Sequence, residues 1–145
     1  SAAMALGSNA KIDLIKGTPL FEHCSTKDLQ KIARIADELD LAAGKVLIRE
    51  GERGREFFVI VSGEVEVRRK GRKIATLGPG SFVGEMALLS KAPRNATVTA
   101  ATPLDVLVIT DRAFVDLLDK TPELWHKVAR VLAERLGDNE RGNPR

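Results

Sequence analysis

Hydrophobic and polar positions change rhythm twice along the chain. Leu29, Ile32, Ala33 and Ile35 recur at helical spacing and so share one face of a helix. Ser25 and Asp28 stand just ahead of them as a capping-box variant, which predicts a helix start there. From Asp40 the pattern shifts to β-rich or alternating segments: Lys45–Glu50, Glu56–Ser62, Glu64–Arg69, Arg72–Leu77, Ala96–Ala100 and Leu104–Ile109. Gly44, Gly51, Gly54, Gly63, Gly71, Gly78 and Gly80 fall between them at turn positions. Pro79-Gly80 suits a type II turn, because proline sets φ and glycine accepts a positive one. After Ile109 the helical period returns. Asp111 is placed to cap a short helix through Lys120, and Thr121-Pro122 to supply the N-cap and first residue of a longer one. That helix carries a stripe of Leu124, Val128, Val131, Leu132 and Leu136 and is expected to stop at Gly137. The fold class predicted is mainly β with flanking α: an eight-stranded jelly-roll β-barrel with an N-terminal helix and a C-terminal helix pair.

Length and composition narrow this picture. A chain of 145 residues is one domain by size and needs no disulfide or metal to support its core. The expected division is a flexible arm or cloning remnant over 1–10, a folded domain over 11–137 and a polar tail over 138–145. Hydrophobic residues at 43% and charged ones at 30% describe an ordinary soluble globule. No window approaches the ~18 consecutive apolar residues of a membrane span, and the first ten residues lack the apolar core of a signal peptide. Cys24 is the only cysteine, so no intrachain disulfide forms, which fits a cytoplasmic location. With neither a base nor a ligand pattern beside it, Cys24 reads as a packing residue. A net charge of +3 is too mild to point to nucleic acid. The basic run Arg68, Arg69, Lys70, Arg72 and Lys73 surrounds Gly71 and reads as a solvated hairpin tip.

One stretch, Gly80 to Val98, breaks the strand-turn rhythm. Gly84 precedes a helical turn expected over Glu85–Leu89, and glycine there lets a ligand approach bare backbone. Amide N–H groups at the start of such a turn favour an anion. Arg94 offers a guanidinium that pairs bidentately with phosphate oxygens. Glu85, acceptor-only when ionised, suits a sugar hydroxyl and repels phosphate. Together they describe a receptor for a phosphorylated ribose. By spacing alone the same two residues also fit a surface ion pair across a loop.

A resemblance favours the first reading. Gly84-Glu85-Met86-Ala87-Leu88-Leu89, followed after a short gap by Pro93-Arg94-Asn95-Ala96-Thr97-Val98, is similar to the phosphate-binding cassette of the cyclic-nucleotide-binding domain family. The likeness runs from about Asp13 to Leu136 and takes in Pro19-Leu20-Phe21, Phe58 to Gly63, and Leu77 to Gly80. It implies that Glu85 receives the ribose 2′-hydroxyl and Arg94 the cyclic phosphate, with backbone around Gly84, Ala87 and Ala96 completing the cradle. Met86 and Asn95 belong to the same cassette, and Val65, Ile74 and Leu77 are candidates for the base pocket or for plain core. Val83 stands where the family often has phenylalanine. Asn95 stands where cAMP-preferring kinase domains of the family carry alanine and cGMP-preferring ones threonine. Its side chain is longer than either and the rest of the chain is similar to bacterial cAMP sensors, so the resemblance implies cAMP as ligand, with cGMP second.

The resemblance to the catabolite activator family extends into Ala129–Leu136. It implies a helix that moves when nucleotide binds, a homodimer through that helix, and base contacts near Asn139 and Glu140. The expected function is a non-enzymatic sensor, excised or stand-alone, that regulates an attached effector or partner, with no nucleic-acid contact of its own. The alternative is a structural interaction module of the same fold that no longer binds nucleotide. A cupin-like metal barrel would need clustered histidines, and only His23 and His126 are present, far apart. No metal or catalytic group is expected. Trp125 at helical spacing reads as core packing.

Overall fold

The computed structural model describes residues 6–140, with side chains through Asp138. Helices α1 (Ser8–Ile15) and α2 (Thr26–Arg34) open the chain, joined through a 3₁₀ turn at Pro19–Phe21. Strands β1 (Asp37–Leu41), β2 (Val46–Ile48), β3 (Glu56–Ser62), β4 (Val65–Arg69), β5 (Arg72–Leu77) and β6 (Phe82–Val83) follow. A second 3₁₀ turn, Glu85–Leu88, leads to β7 (Thr97–Ala100), β8 (Leu104–Thr110), α3 (Asp111–Lys120) and α4 (Pro122–Glu140).

Eight strands form, but they do not close. They make two four-stranded antiparallel sheets, β1-β8-β3-β6 and β2-β7-β4-β5. The sheets are held together by side chains, so the barrel expected from the sequence is corrected to an open jelly-roll sandwich. One edge of each sheet is blunted by brevity: β6 is two residues long, and β2 three with a shift of register. β3 is buried on both faces. Phe58 and Ile60 enter the inter-sheet core with Val65, Val67, Val98 and Val106. Phe57 and Val59 enter a second core with Phe21, Ile32, Leu107, Phe114, Leu124 and Val128, under the helices. Phe57 meets Phe21 and Phe82 edge-on at ring separations of 6.1 and 6.0 Å, which fixes the start of the cassette against the helical layer.

Local signals explain most boundaries. Ser25 Oγ accepts from the Asp28 amide (3.2 Å) and Asp28 Oδ2 from the Ser25 amide (2.8 Å), closing the capping box. Lys70 and Gly71 have φ of 51° and 77°, as a two-residue hairpin turn of the right twist demands. The Ser81 amide bonds the Gly78 carbonyl at 3.0 Å with Gly80 at φ 85°, the expected type II turn.

Other boundaries move. Helix α1 begins at Ser8, inside the stretch expected to be an arm, because Ile12 and Ile15 bury themselves in the helical core. The cap of α3 is Thr110, whose Oγ1 accepts from the Ala113 amide (3.1 Å), while Asp111 is already helical. Helix α4 runs through Gly137 to Glu140. Its stripe is buried at Leu124, Val128 and Val131, half-buried at Leu132 and 65% exposed at Leu136. Trp125 is 44% exposed, outside the core expected for it.

Candidate functional site

The cassette is held from both ends. Phe82 and Val83 pair with Val59 and Phe58 of β3. Gly84 then turns left-handed (φ 82°, ψ 24°), and the 3₁₀ turn plants Leu88 in the helical core. At the far end, the Arg94 amide donates to the Glu52 carbonyl and the Gly51 amide to the Arg94 carbonyl, each at 2.8 Å. Between these anchors lies a cleft of about 360 Å³ lined by Gly84, Glu85, Met86, Ala87, Ser90, Ala92, Pro93, Arg94 and Asn95. Six of the seven cassette residues singled out from the sequence therefore face one space. The seventh, Ala96, is buried beneath them.

Arg94 passes between two glycines. A Cβ on Gly54 would stand 1.9 Å from its Nε and 2.2 Å from its Cζ, and one on Gly84 would stand 2.3 Å from its Nη1. The guanidinium donates to the Glu56 carbonyl and, at 3.4 Å, to the Gly84 carbonyl. Burial lowers the Arg94 pKa from its ordinary value and Glu56 offsets this in part, yet arginine stays charged. On its other side Arg94 lines a smaller cleft of about 120 Å³ with Gly54, Arg49, Arg53 and Arg55.

Glu85 is turned toward the helices. Its Oε2 accepts from the Leu20 amide and its Oε1 from Arg135 Nη2 of α4, both at 3.0 Å. The side chains of this pair are 12% and 21% exposed, so the contact is mostly shielded from water. Arg135 Nη1 also lies 2.9 Å from Met86 Sδ. The Ala87 amide, expected in the phosphate cradle, bonds the Gly84 carbonyl (3.0 Å). Asn95 is exposed and its carbonyl accepts from Arg69 Nε (3.0 Å).

The base-pocket candidates separate from this group. Val65 is fully buried opposite Leu77, Leu77 is half-buried against the inter-sheet core, and Ile74 is 48% exposed. None of them lines the cleft. Side chains at Asn139 and Glu140 lie outside the described residues. Gly54 and Arg135, which sequence reasoning missed, complete the arrangement. Gly54 reads as one more turn glycine, and Arg135 is fifty residues from Glu85, so neither carries a local signal.

Helix α4 is tied down elsewhere too. Lys127 pairs with Asp28 at the α2 cap. Burial alone would raise the Asp28 pKa, but hydrogen bonds from Lys127 and Ser25 hold it below its ordinary value. His23 Nε2 meets Glu134 Oε1 at 2.5 Å. Cys24 is half-buried with its thiol pushed up to about 11, first by burial and then by Asp28, as befits an unreactive packing residue.

Comparison with known proteins gives this geometry a family. The model of the cyclic nucleotide-binding domain matches residues 38–121, from β1 to the end of α3. The chain belongs to the cyclic nucleotide-binding domain family. The match takes in the whole sandwich and cassette and leaves out α1, α2 and α4. The chain is 40% identical over 129 residues to a cAMP-dependent protein kinase regulatory subunit of Mycosarcoma maydis, covering 83% of this chain and 24% of that protein. It thus spans about a quarter of that relative. Among solved structures, the N-terminal domain of a transcriptional regulator from Streptomyces coelicolor is similar, with a TM-score of 0.78 and 30% identity, covering 88% of this chain and 94% of that one. The regulatory domain of Toxoplasma gondii PKA, solved with cAMP, has a TM-score of 0.69 at 31% identity, covering 76% and 44%. Among the described residues no helix is long and apolar enough to cross a membrane.

Proposed function

We propose that the domain binds cAMP in preference to cGMP in the Gly84–Asn95 cleft, and that occupancy is passed to helix α4 through Glu85. Glu85 supports this coupling by its position: it lies in the cassette and is bonded to Arg135 of α4 at 3.0 Å. Arg94 supplies the positive charge for the cyclic phosphate across the cleft. A ribose hydroxyl donating to Glu85 competes with Leu20 and Arg135 for the same two oxygens. Binding therefore loosens or re-aims α4 without any contact between nucleotide and helix. The cAMP-bound PKA domain above supports cAMP as the ligand.

The domain itself performs no chemistry in this reading. Glu85 is engaged by Leu20 and Arg135, and Ser90 Oγ accepts from the Ala92 amide (3.1 Å), which supports a recognition role for the cleft. An effector attached to, or assembled on, α4 reads the change in the cytoplasm. The exposed Leu136 suits a homodimer through that helix. Displacement of a fluorescent cAMP analogue tests the binding. Unlabelled cAMP should displace it at lower concentration than cGMP, and equal displacement or a cGMP advantage contradicts the preference.

A further inference from the structure

The β1 edge of the first sheet carries a group of acids unrelated to the cassette. Asp40 stands directly opposite Asp105 across the β1–β8 ladder, and Glu38 lies two residues along on the same face, opposite Leu107. That face looks toward the helices, because Leu107 belongs to the helical core. Asp105 is only 7% exposed. Its Oδ1 and the Oε2 of Glu38 are both buried, and neither has a hydrogen-bond partner among the described residues. Glu38 Oε1 accepts from the Leu6 amide at 3.0 Å, so this carboxyl anchors the chain just ahead of α1.

No described cation compensates the two acids. The ammonium of Lys11, on α1, is directed to the Ala36 carbonyl (2.6 Å), and β3 places the neutral Ser62 opposite Asp105. Among the described residues the other charge that acts on Asp105 is Asp40, which has the same sign. A buried carboxylate beside a half-buried one, without a counter-ion, repels it and is poorly solvated. Each of the two also has one buried oxygen left over. A single shared proton resolves both problems: one carboxyl donates its O–H to the other, and one negative charge disappears.

We propose that Asp105 and Glu38 form a proton-operated latch for the N-terminal segment. With the proton in place the pair closes and Glu38 holds Leu6 against β1. Without it, the repelled Glu38 swings toward water, the Leu6 bond breaks and α1 loosens. Burial first, then Glu38 and Asp40, push the Asp105 pKa up to about 6, which puts the transition close to neutrality. A carboxyl whose pKa is raised in the folded state stabilises the fold when protonated. The latch contributes fully below the ordinary carboxylate range, and the contribution is lost as pH rises through about 6. This device is separate from the nucleotide cleft and stands whether or not a nucleotide binds.

Carbon-detected NMR of the Asp and Glu side-chain carboxyls tests it directly, combined with amide exchange of Leu6 and α1. The pair should show one macroscopic titration near pH 6. After correction for intrinsic rates, Leu6 and α1 should exchange at least about fivefold faster at pH 7.5 than at pH 5. Asp105→Asn, which keeps a donor in place of the proton, should flatten that dependence, and Glu38→Gln gives the same test if the first variant does not fold. Titration of both carboxyls below pH 5, or an unchanged pH response in a folded variant, overturns the latch.

Discussion

At Gly54 and Gly84 a methyl group would occupy the space that the Arg94 guanidinium fills, so Arg94 depends on two residues that themselves offer no chemistry. Gly54 has an ordinary φ, so Gly54→Ala isolates that spatial requirement from backbone strain. The variant should remain folded and bind cAMP about tenfold more weakly, read by calorimetry. Arg94→Ala should cost more, because it leaves the phosphate without its partner. Loss of one member of such a pair costs about 2–5 kcal/mol, or roughly 30-fold in affinity at least. Glu85→Gln should cost less than Arg94→Ala, since the amide oxygen still accepts from the ribose while a charge-assisted bond of about 1.5–3 kcal/mol is weakened. Comparing cAMP with its 2′-deoxy analogue checks the role: equal affinity for the two removes Glu85 from the ribose. The cassette residues were legible in the sequence because they are contiguous and chemically distinctive. Gly54 was not, since its importance comes from what lies over it.

Among the elements, those with local signals agree with the sequence reading. The capping box of α2, the β4–β5 hairpin with its Lys70-Gly71 turn, and the type II turn at Pro79-Gly80 each contain their own instructions. β1 does not. Its sequence Asp-Glu-Leu-Asp-Leu has little strand preference, and it forms by pairing with β8 from Asp37 to Leu41. The two-residue β6 is likewise defined by its partner, β3. Sheet closure could not be read either, because alternation marks inward faces equally in a barrel and a sandwich. Helix α4 is where this matters for function, since the Glu85–Arg135 contact joins elements that no local pattern connects. In the proposed coupling, Arg135→Gln should leave cAMP affinity within about fivefold. It should abolish the nucleotide-dependent change in amide exchange over residues 128–138. A response in α4 that survives the substitution assigns the coupling to another contact.

The whole molecule is a sandwich covered on one side by helices, with the cassette inserted between the two cores. Phe57 touches Phe21 and Phe82 and so ties the helical layer to the cassette. Phe57→Ala should cost about 3–5 kcal/mol, a large part of the roughly 5–15 kcal/mol that stabilises a domain, and should lower both melting temperature and nucleotide affinity. At the acid end, Asp28 has a lowered folded-state pKa, so its contribution is present above the ordinary value of 3.8 and is lost as pH falls below it. Lys127→Met should therefore flatten the stability profile below about pH 4, as followed by thermal melts. Calorimetric titration of the folded domain with cAMP and cGMP, wild type beside Arg94→Ala, tests the assignment of the cleft. Wild type should bind cAMP at one site per chain and cGMP at least about fivefold more weakly, a difference of about 1 kcal/mol, with Arg94→Ala reducing cAMP affinity 30-fold or more by the pairing cost above. A folded wild type that takes up neither nucleotide, or an Arg94→Ala variant that binds cAMP as tightly as wild type, contradicts the assignment of this cleft.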